Sequence, residues 1–122
     1  MADDPRFAAG RNIAVKVPPH EYEATVRFYR DVLGFAEVAT EEPGACFEFG
    51  ANRLWVDRVP TLSQAEVWFE IVTTDLAASS ARLEAAGVVR CDDIEPLPDG
   101  MAAFWIANPA GIVHLVVEDA GS

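Results

Sequence analysis

The sequence is short of basic residues, long apolar runs and cysteines, and each shortage excludes a class of function. Its 9 Lys and Arg face 20 Asp and Glu, a net charge of −11 that repels nucleic-acid phosphates and anionic membrane surfaces. No apolar run approaches the roughly 18 residues that a membrane-spanning helix needs. Cys46 and Cys91 form neither a CxxC pair nor a zinc cluster, which is typical of reduced thiols. We expect a cytoplasmic protein without nucleic-acid or membrane partners.

The sequence also lacks the usual motifs of nucleophilic catalysis and phosphate binding. It contains no G-x-S-x-G elbow, no phosphate loop and no Cys/His nucleophile arrangement. Acid–base chemistry by Glu66 is the enzymatic role that these residues leave open. Hydrophobic residues nevertheless make up 51% of the 122 residues, enough for one globular domain. We expect a flexible leader over residues 1–10 and a single domain over residues 11–118.

Two halves of this domain show the same order of periodic segments. Residues 12–17 alternate as in a strand, and residues 22–33 show helical spacing that ends at Gly34. Three strand-like runs follow, at residues 35–40, 45–49 and 53–57. This order predicts a βαβββ module over about residues 11–58.

The second half repeats the pattern over about residues 66–118. Residues 66–71 alternate, Thr74-Asp75 supplies a cap for a helix over residues 76–86, and Gly87 ends that helix. Strand-like runs follow at residues 88–92, 101–107 and 112–117. The strand starts lie 54 residues apart (12 to 66) and the helix-ending glycines 53 apart (34 to 87), which indicates a duplicated module.

Four sequence segments carry a family resemblance. They are FYRDVLGF (28–35), WFEI (68–71), ARLEAAGV (81–88) and NPAG (108–111). In this order and spacing the chain resembles the vicinal-oxygen-chelate superfamily, which contains glyoxalases, bleomycin-resistance proteins and extradiol dioxygenases. The resemblance implies an α+β fold in which two βαβββ modules form a cleft-shaped, incompletely closed sheet, and it implies a homodimer.

The resemblance also implies four positions for metal ligands, usually His, Glu or Gln, which hold divalent Ni, Zn, Fe or Mn in metal-using members. The matching positions here are Asn12, Trp55, Glu66 and Leu115. Of these, Glu66 alone is a strong ligand, because a neutral amide is a weak metal ligand and an indole or an isobutyl group cannot ligate a metal ion. We therefore expect no metal cofactor and a closer similarity to the metal-free bleomycin-resistance proteins.

Two replacements could still restore a metal site around Glu66. His114 lies next to Leu115 and would turn inward if the last strand shifted by one residue, which would also turn its apolar side chains over. Asp57 lies on the face of Trp55. With either, the alternative function is a metal-dependent lyase, isomerase or dioxygenase.

Strand alternation predicts which residues line the cleft. We expect Ile13, Val15, Val17, Val67, Phe69 and Ile71 to pack under the helices. The opposite, concave face would then carry Asn12, Lys16, Trp55, Asp57, Glu66, Trp68 and Glu70, with Trp105 as a further candidate. Indoles among carboxylates favour a planar or cationic organic ligand. Alternatively, the tryptophans fill the interior or a dimer contact, and Glu66 and Glu70 pair with Lys16 or Arg53.

These observations leave three hypotheses. The first is a metal-independent protein that captures a small aromatic or cationic compound in a dimeric cleft, as bleomycin-resistance proteins sequester an antibiotic. The second is the metal-dependent enzyme. The third is an interaction module that uses its acidic face for a protein partner and has no small-molecule site.

Overall fold

The computed structural model describes residues 5–119, which form an α+β fold. Its strands are β1 (Phe7–Val17), β2 (Ala45–Phe49), β3 (Asn52–Arg58), β4 (Glu66–Thr73), β5 (Val89–Arg90), β6 (Ala103–Ala107) and β7 (Val113–Glu118). Its helices are α1 (Pro19–Arg27), which continues as a π-helical turn over Phe28–Val32, and α2 (Leu76–Ala85). The strands form a seven-stranded sheet in the order β2-β3-β1-β4-β7-β6-β5. The predicted α+β class is therefore confirmed.

The chain divides into two compact units. The first unit comprises Arg11–Trp68, and the described part of the second comprises residues 5–10 and 69–119. In the first unit β3 pairs in parallel with β1 and antiparallel with β2. In the second unit β7 pairs in parallel with β4 and antiparallel with β6, which pairs with β5.

The core of the first unit lies between its strands and α1. It consists of Val17, Val26, Ala45, Phe47 and Val56, and Val15, Tyr22, Tyr29 and Phe35 pack against it. The ring of Tyr29 lies 5.9 Å from that of Phe47 and 6.2 Å from that of Phe35, measured between centroids. Aromatic side chains thus fill the space under the end of the helix.

The helix predicted over residues 22–33 is present, but it begins at Pro19 and changes its geometry. Proline is favoured at the first helical position because its missing N–H would be unpaired there in any case. In the last turn the N–H of Leu33 donates to the carbonyl of Phe28, five residues earlier, over 3.0 Å. This π-helical turn contains one more residue than an α-helical turn would.

The strand predicted over residues 35–40 was wrong. The segment makes one bridge, between Glu37 and Phe47, and the N–H of Val38 donates to the carbonyl of Cys46. Ala36, Glu37, Ala39 and Thr40 are all exposed, so the segment offers little apolar surface that a longer strand would bury.

The second unit builds its core under α2. Phe104, Ile106 and Val116 are buried, and Leu76, Leu83 and Val88 pack against them. Asp75 is the N-cap of α2, as predicted, and its carboxylate accepts from the N–H of Ala78 over 3.0 Å. The three predicted strands of this unit are present, although β5 keeps two residues and β6 begins two residues late.

Two expectations about β1 and β4 need correction. Phe7–Gly10 belong to β1, so the sheet starts four residues before the expected domain boundary; residues 1–4 lie outside the described residues. Val67 and Phe69, which we expected under the helices, are 42% and 40% exposed. In the second unit α2 packs its leucines against β6 and β7 and leaves Phe69 largely uncovered.

Within residues 5–119, neither helix is long and apolar enough to span a membrane.

Candidate functional site

One face of the first unit is polar because its strands alternate. Val15 and Val56 are register partners and face α1, so the neighbouring positions point to the other side of the sheet. There Lys16 is opposite Asp57, and Ala14 is opposite Trp55. We call this the polar face; its residues are Asn12, Lys16, Trp55, Asp57, Glu66 and Trp68.

Lys16 is the central residue of the polar face. It is 4% exposed, and its Nζ lies 2.9 Å from Oδ2 of Asp57 and 4.4 Å from the centroid of the Trp68 ring. A buried ammonium requires such partners because desolvation disfavours an isolated charge. The face thus contains an internal cation held by a carboxylate and by the electron-rich surface of an indole.

The two indoles of the polar face have different surroundings. Trp55 is half-buried, and its Nε1 donates to Oδ1 of Asn12 over 2.8 Å. Trp68 is buried, and its Nε1 donates to Oε1 of Glu66 over 2.9 Å. The structure therefore links Asn12 with Trp55 and links Lys16 with Asp57, Trp68 and, through Trp68, Glu66.

Glu70 and Trp105 belong to the second unit. Both have Leu115 as a register partner, so they share the face of β4, β7 and β6 that lies opposite α2. A Cβ built on Gly10 would lie 2.5 Å from Cγ of Glu70, so a glycine is needed where Glu70 crosses β1. Glu70 is half-buried.

Trp105 is 6% exposed and packs in the interior. Its backbone N–H donates to Oδ1 of Asp92 over 3.0 Å, and its Nε1 donates to the carbonyl of Glu95 over 2.9 Å. The ring thus anchors the segment between β5 and β6. In this structure the indole serves packing, and its role in ligand binding stays a prediction.

The register of β7 decides the orientation of His114. Phe69 pairs with His114 and Glu70 pairs with Leu115, which places His114 on the α2 side and Leu115 on the opposite side. The imidazole lies 5.5 Å from the Phe69 ring, and its Nδ1 lies 3.0 Å from the carbonyl oxygen of Ile112. The one-residue shift that would bring His114 to the position of Leu115 is therefore absent.

The side chains at the four family ligand positions do not fit a divalent metal. Asn12 offers an amide oxygen that already accepts from Trp55, and Leu115 offers no donor atom. Asp57, the proposed replacement, is paired with Lys16. Across the part of the chain that the structure describes, no three His, Cys, Asp or Glu side chains are grouped closely enough to hold a metal ion.

Cys46 adds a residue that sequence reasoning did not connect with the site. It is fully buried and is the register partner of Trp55, so it lies on the same side of the sheet. Burial raises the pKa of its thiol, which keeps the thiol protonated and unreactive. The pairing of two strands brings it there, and no sequence motif signals that pairing.

Solved structures with the same fold differ in what they do. The chain matches a Mn(II)-bound glyoxalase from Novosphingobium aromaticivorans with a TM-score of 0.66 and 20% identity, over 96% of this chain and 40% of that one. It matches a hypothetical protein from Bacillus halodurans with a TM-score of 0.68 and 14% identity, over 95% of this chain and 96% of that one. It matches methylmalonyl-CoA epimerase from Mycobacterium tuberculosis with a TM-score of 0.64 and 16% identity, over 93% of this chain and 89% of that one.

A search of the curated proteins finds no significant match. The chain spans less than half the length of the Novosphingobium glyoxalase. Among family models, residues 13–117 match the one described as a glyoxalase-like domain. That match covers most of both units, so the chain belongs to the glyoxalase-like domain family.

Proposed function

We propose that this chain is a metal-independent binding protein that captures a planar aromatic compound, preferentially a cationic one, on the polar face of its first unit. The Lys16–Asp57 ion pair over Trp68 carries the proposal. It places the Lys16 amino group against Asp57, the carboxylate that a metal site around Glu66 would need. A divalent ion at Asp57 would be repelled by this neighbouring ammonium.

Trp55 is the proposed stacking surface. Trp68 already has the Lys16 ammonium over its ring, whereas Trp55 is half-buried and is oriented by its hydrogen bond to Asn12. A planar ligand on such a ring gains about 0.5–1.5 kcal/mol beyond the area it buries. Glu66 and the net charge of −11 favour a cation over an anion.

A matched pair of probes tests the proposal. Naphthylmethylammonium and naphthoate carry the same ring with opposite charges, and tryptophan fluorescence reports their binding. We expect saturable quenching by the cation, weaker quenching by the anion, and about tenfold weaker cation binding in Trp55→Leu. Phe28→Leu, at an exposed position outside the polar face, serves as the control.

The metal-dependent enzyme remains the second candidate, because the matched structures include a Mn(II)-bound glyoxalase and an epimerase. It predicts about one equivalent of Ni, Zn, Fe or Mn per chain after purification without chelators, measured by elemental analysis. That result would refute the metal-independent proposal. A protein that binds neither probe nor metal would instead support the interaction module.

We further propose that the protein acts in the cytoplasm as a homodimer. Sedimentation equilibrium distinguishes the 13.2 kDa chain from a species of twice that mass. If the captured compound is an antibiotic, cells that express the wild-type chain should tolerate more of it than cells that express Trp55→Leu. Equal tolerance in both strains would argue against sequestration through this face.

A further inference from the structure

The second unit contains a pocket on its α2 side, the face opposite Leu115 and Trp105. Its volume is about 390 Å³, which lies within the usual range for small-molecule sites. The lining includes Ile71, Val88, Ile106, Pro109, Asn108 and His114. It is therefore mostly apolar, with two polar side chains. Nothing in the polar face of the first unit contributes to it.

The pocket exists because the second unit lacks bulk that the first unit has. Counting back from the helix-ending glycines, Tyr29 and Phe35 of the first unit correspond to Arg82 and Val88, 53 residues later. In the first unit the ring of Tyr29 stacks on that of Phe35 and lies tilted against that of Phe47. Arg82 is exposed and Val88 is smaller than phenylalanine, so the corresponding space in the second unit stays open.

Of the two polar side chains, His114 is the one that can accept a hydrogen bond from a ligand. Oδ1 of Asn108 already accepts from the N–H groups of Ala110 and Ile112. Nδ1 of His114 lies 3.0 Å from the carbonyl oxygen of Ile112, and because a carbonyl can only accept, Nδ1 must carry the hydrogen. In the neutral imidazole Nε2 is then an acceptor. The Phe69 ring lies 5.5 Å from the imidazole, measured between centroids, and packs beside it.

We propose that this pocket binds a small neutral aromatic molecule that carries one hydrogen-bond donor, such as a phenol, with the donor directed to Nε2 of His114. The apolar lining contacts the ring, and the imidazole selects the hydroxyl. The site is separate from the polar face and does not depend on the function proposed for it.

The test compares 4-fluorophenol with 4-fluorotoluene, which have similar shapes but differ in the donor. We expect saturable binding of 4-fluorophenol in ¹⁹F spectra, with amide shifts in ¹H–¹⁵N spectra at residues 86–89 and 106–109. His114→Leu should reduce the preference for the phenol over the toluene by three- to tenfold, because it removes one neutral hydrogen bond. Val88→Phe, which restores the bulk of Phe35, should abolish binding of both probes. Phe28→Leu, at an exposed position outside both the pocket and the polar face, is the control and should leave both affinities unchanged.

Several outcomes would overturn the proposal. One is an unchanged phenol preference in His114→Leu, and another is a set of amide shifts that map to the polar face. A third is self-association of the chain that the probes leave unchanged and that Val88→Phe abolishes. That result would mean that a second copy of the chain, and not a small molecule, covers the pocket. If Val88→Phe does not fold, Ala86→Leu fills the pocket from an exposed position and replaces it in the test.

Discussion

The two units begin from similar sequence patterns and end with different interiors. In the first, aromatic rings close the space under the helix and a buried ion pair occupies the other face of the sheet. In the second, the space at the end of the helix is open and lined by His114, while a buried tryptophan occupies the other face. The two units thus share their order of strands and helices except for β5, which has no counterpart in the first unit, and each unit places its polar and apolar groups differently.

The largest expected effect tests whether the first unit depends on its aromatic core. Phe47 is fully buried and contacts Tyr29, so Phe47→Ala should reduce the free energy of unfolding by about 3–5 kcal/mol. Phe69→Ala is the same change at a 40% exposed site and should cost less than about 1.5 kcal/mol. Urea denaturation measures both. Equal losses would mean that the units do not differ in packing as described.

The next effect concerns the ion pair of the polar face. Lys16→Met leaves Asp57 without its cation in a site where the two side chains are 5% and 24% exposed, and it should cost about 2–4 kcal/mol. Lys16→Met combined with Asp57→Leu should recover most of this loss, because no unpaired charge remains. Arg30→Met breaks the exposed pair with Asp31 and should leave the denaturation midpoint unchanged. A double variant no more stable than Lys16→Met would contradict a charge-based explanation.

A smaller effect distinguishes the starts of the two helices. α2 is capped by the Asp75 side chain, whereas α1 starts with prolines and has no side-chain cap. Asp75→Ala should therefore destabilise the protein by about 1 kcal/mol, and Asp75→Asn by less. Thermal unfolding of the three proteins gives the comparison. Indistinguishable melting temperatures for Asp75→Ala and wild type would show that packing alone fixes this helix start.

The smallest expected effect is a difference in the alkylation rates of two cysteines, one from each unit, in the folded protein. Burial raises the pKa of both thiols, so at neutral pH each has less thiolate than a free cysteine. Iodoacetamide should modify the half-buried Cys91 more slowly than it modifies the free thiol of glutathione. The rate at Cys91 should rise as the pH increases. Cys46 should react only after denaturant is added. Mass spectrometry of the modified peptides would reveal the opposite order if Cys46 were accessible.

Much of the fold was predictable from the sequence because it depends on local signals. The helix-ending glycines, the Asp75 cap and the period-two runs lie at short chain distances, and they indicated the duplicated architecture. The strand predicted over residues 35–40 failed because its exposed side chains gain little from pairing. The exposure of Phe69 depends on how far α2 extends over the sheet, which alternation in β4 does not encode.

The candidate site was predictable in its faces but not in its contacts. Period two correctly separated Lys16, Trp55 and Asp57 from the valines under α1. The contacts that each side chain makes depend on the register between strands, which the sequence does not give. The contacts of Trp55 with Asn12 and of Lys16 with Trp68 were therefore not predicted. The pocket beside His114 escaped prediction because it results from side chains that are small or turned away.

The π-helical turn at the end of α1 makes the first unit sensitive to chain length in a way that the second is not. Its extra residue rotates everything that follows by about 100° relative to a regular helix. Removal of one residue from this turn would restore the regular helical hydrogen bonds and turn the ring of Tyr29 or Phe35 away from Phe47. Natural relatives that lose this residue should therefore also have lost the aromatic cluster, so the two traits should be inherited together.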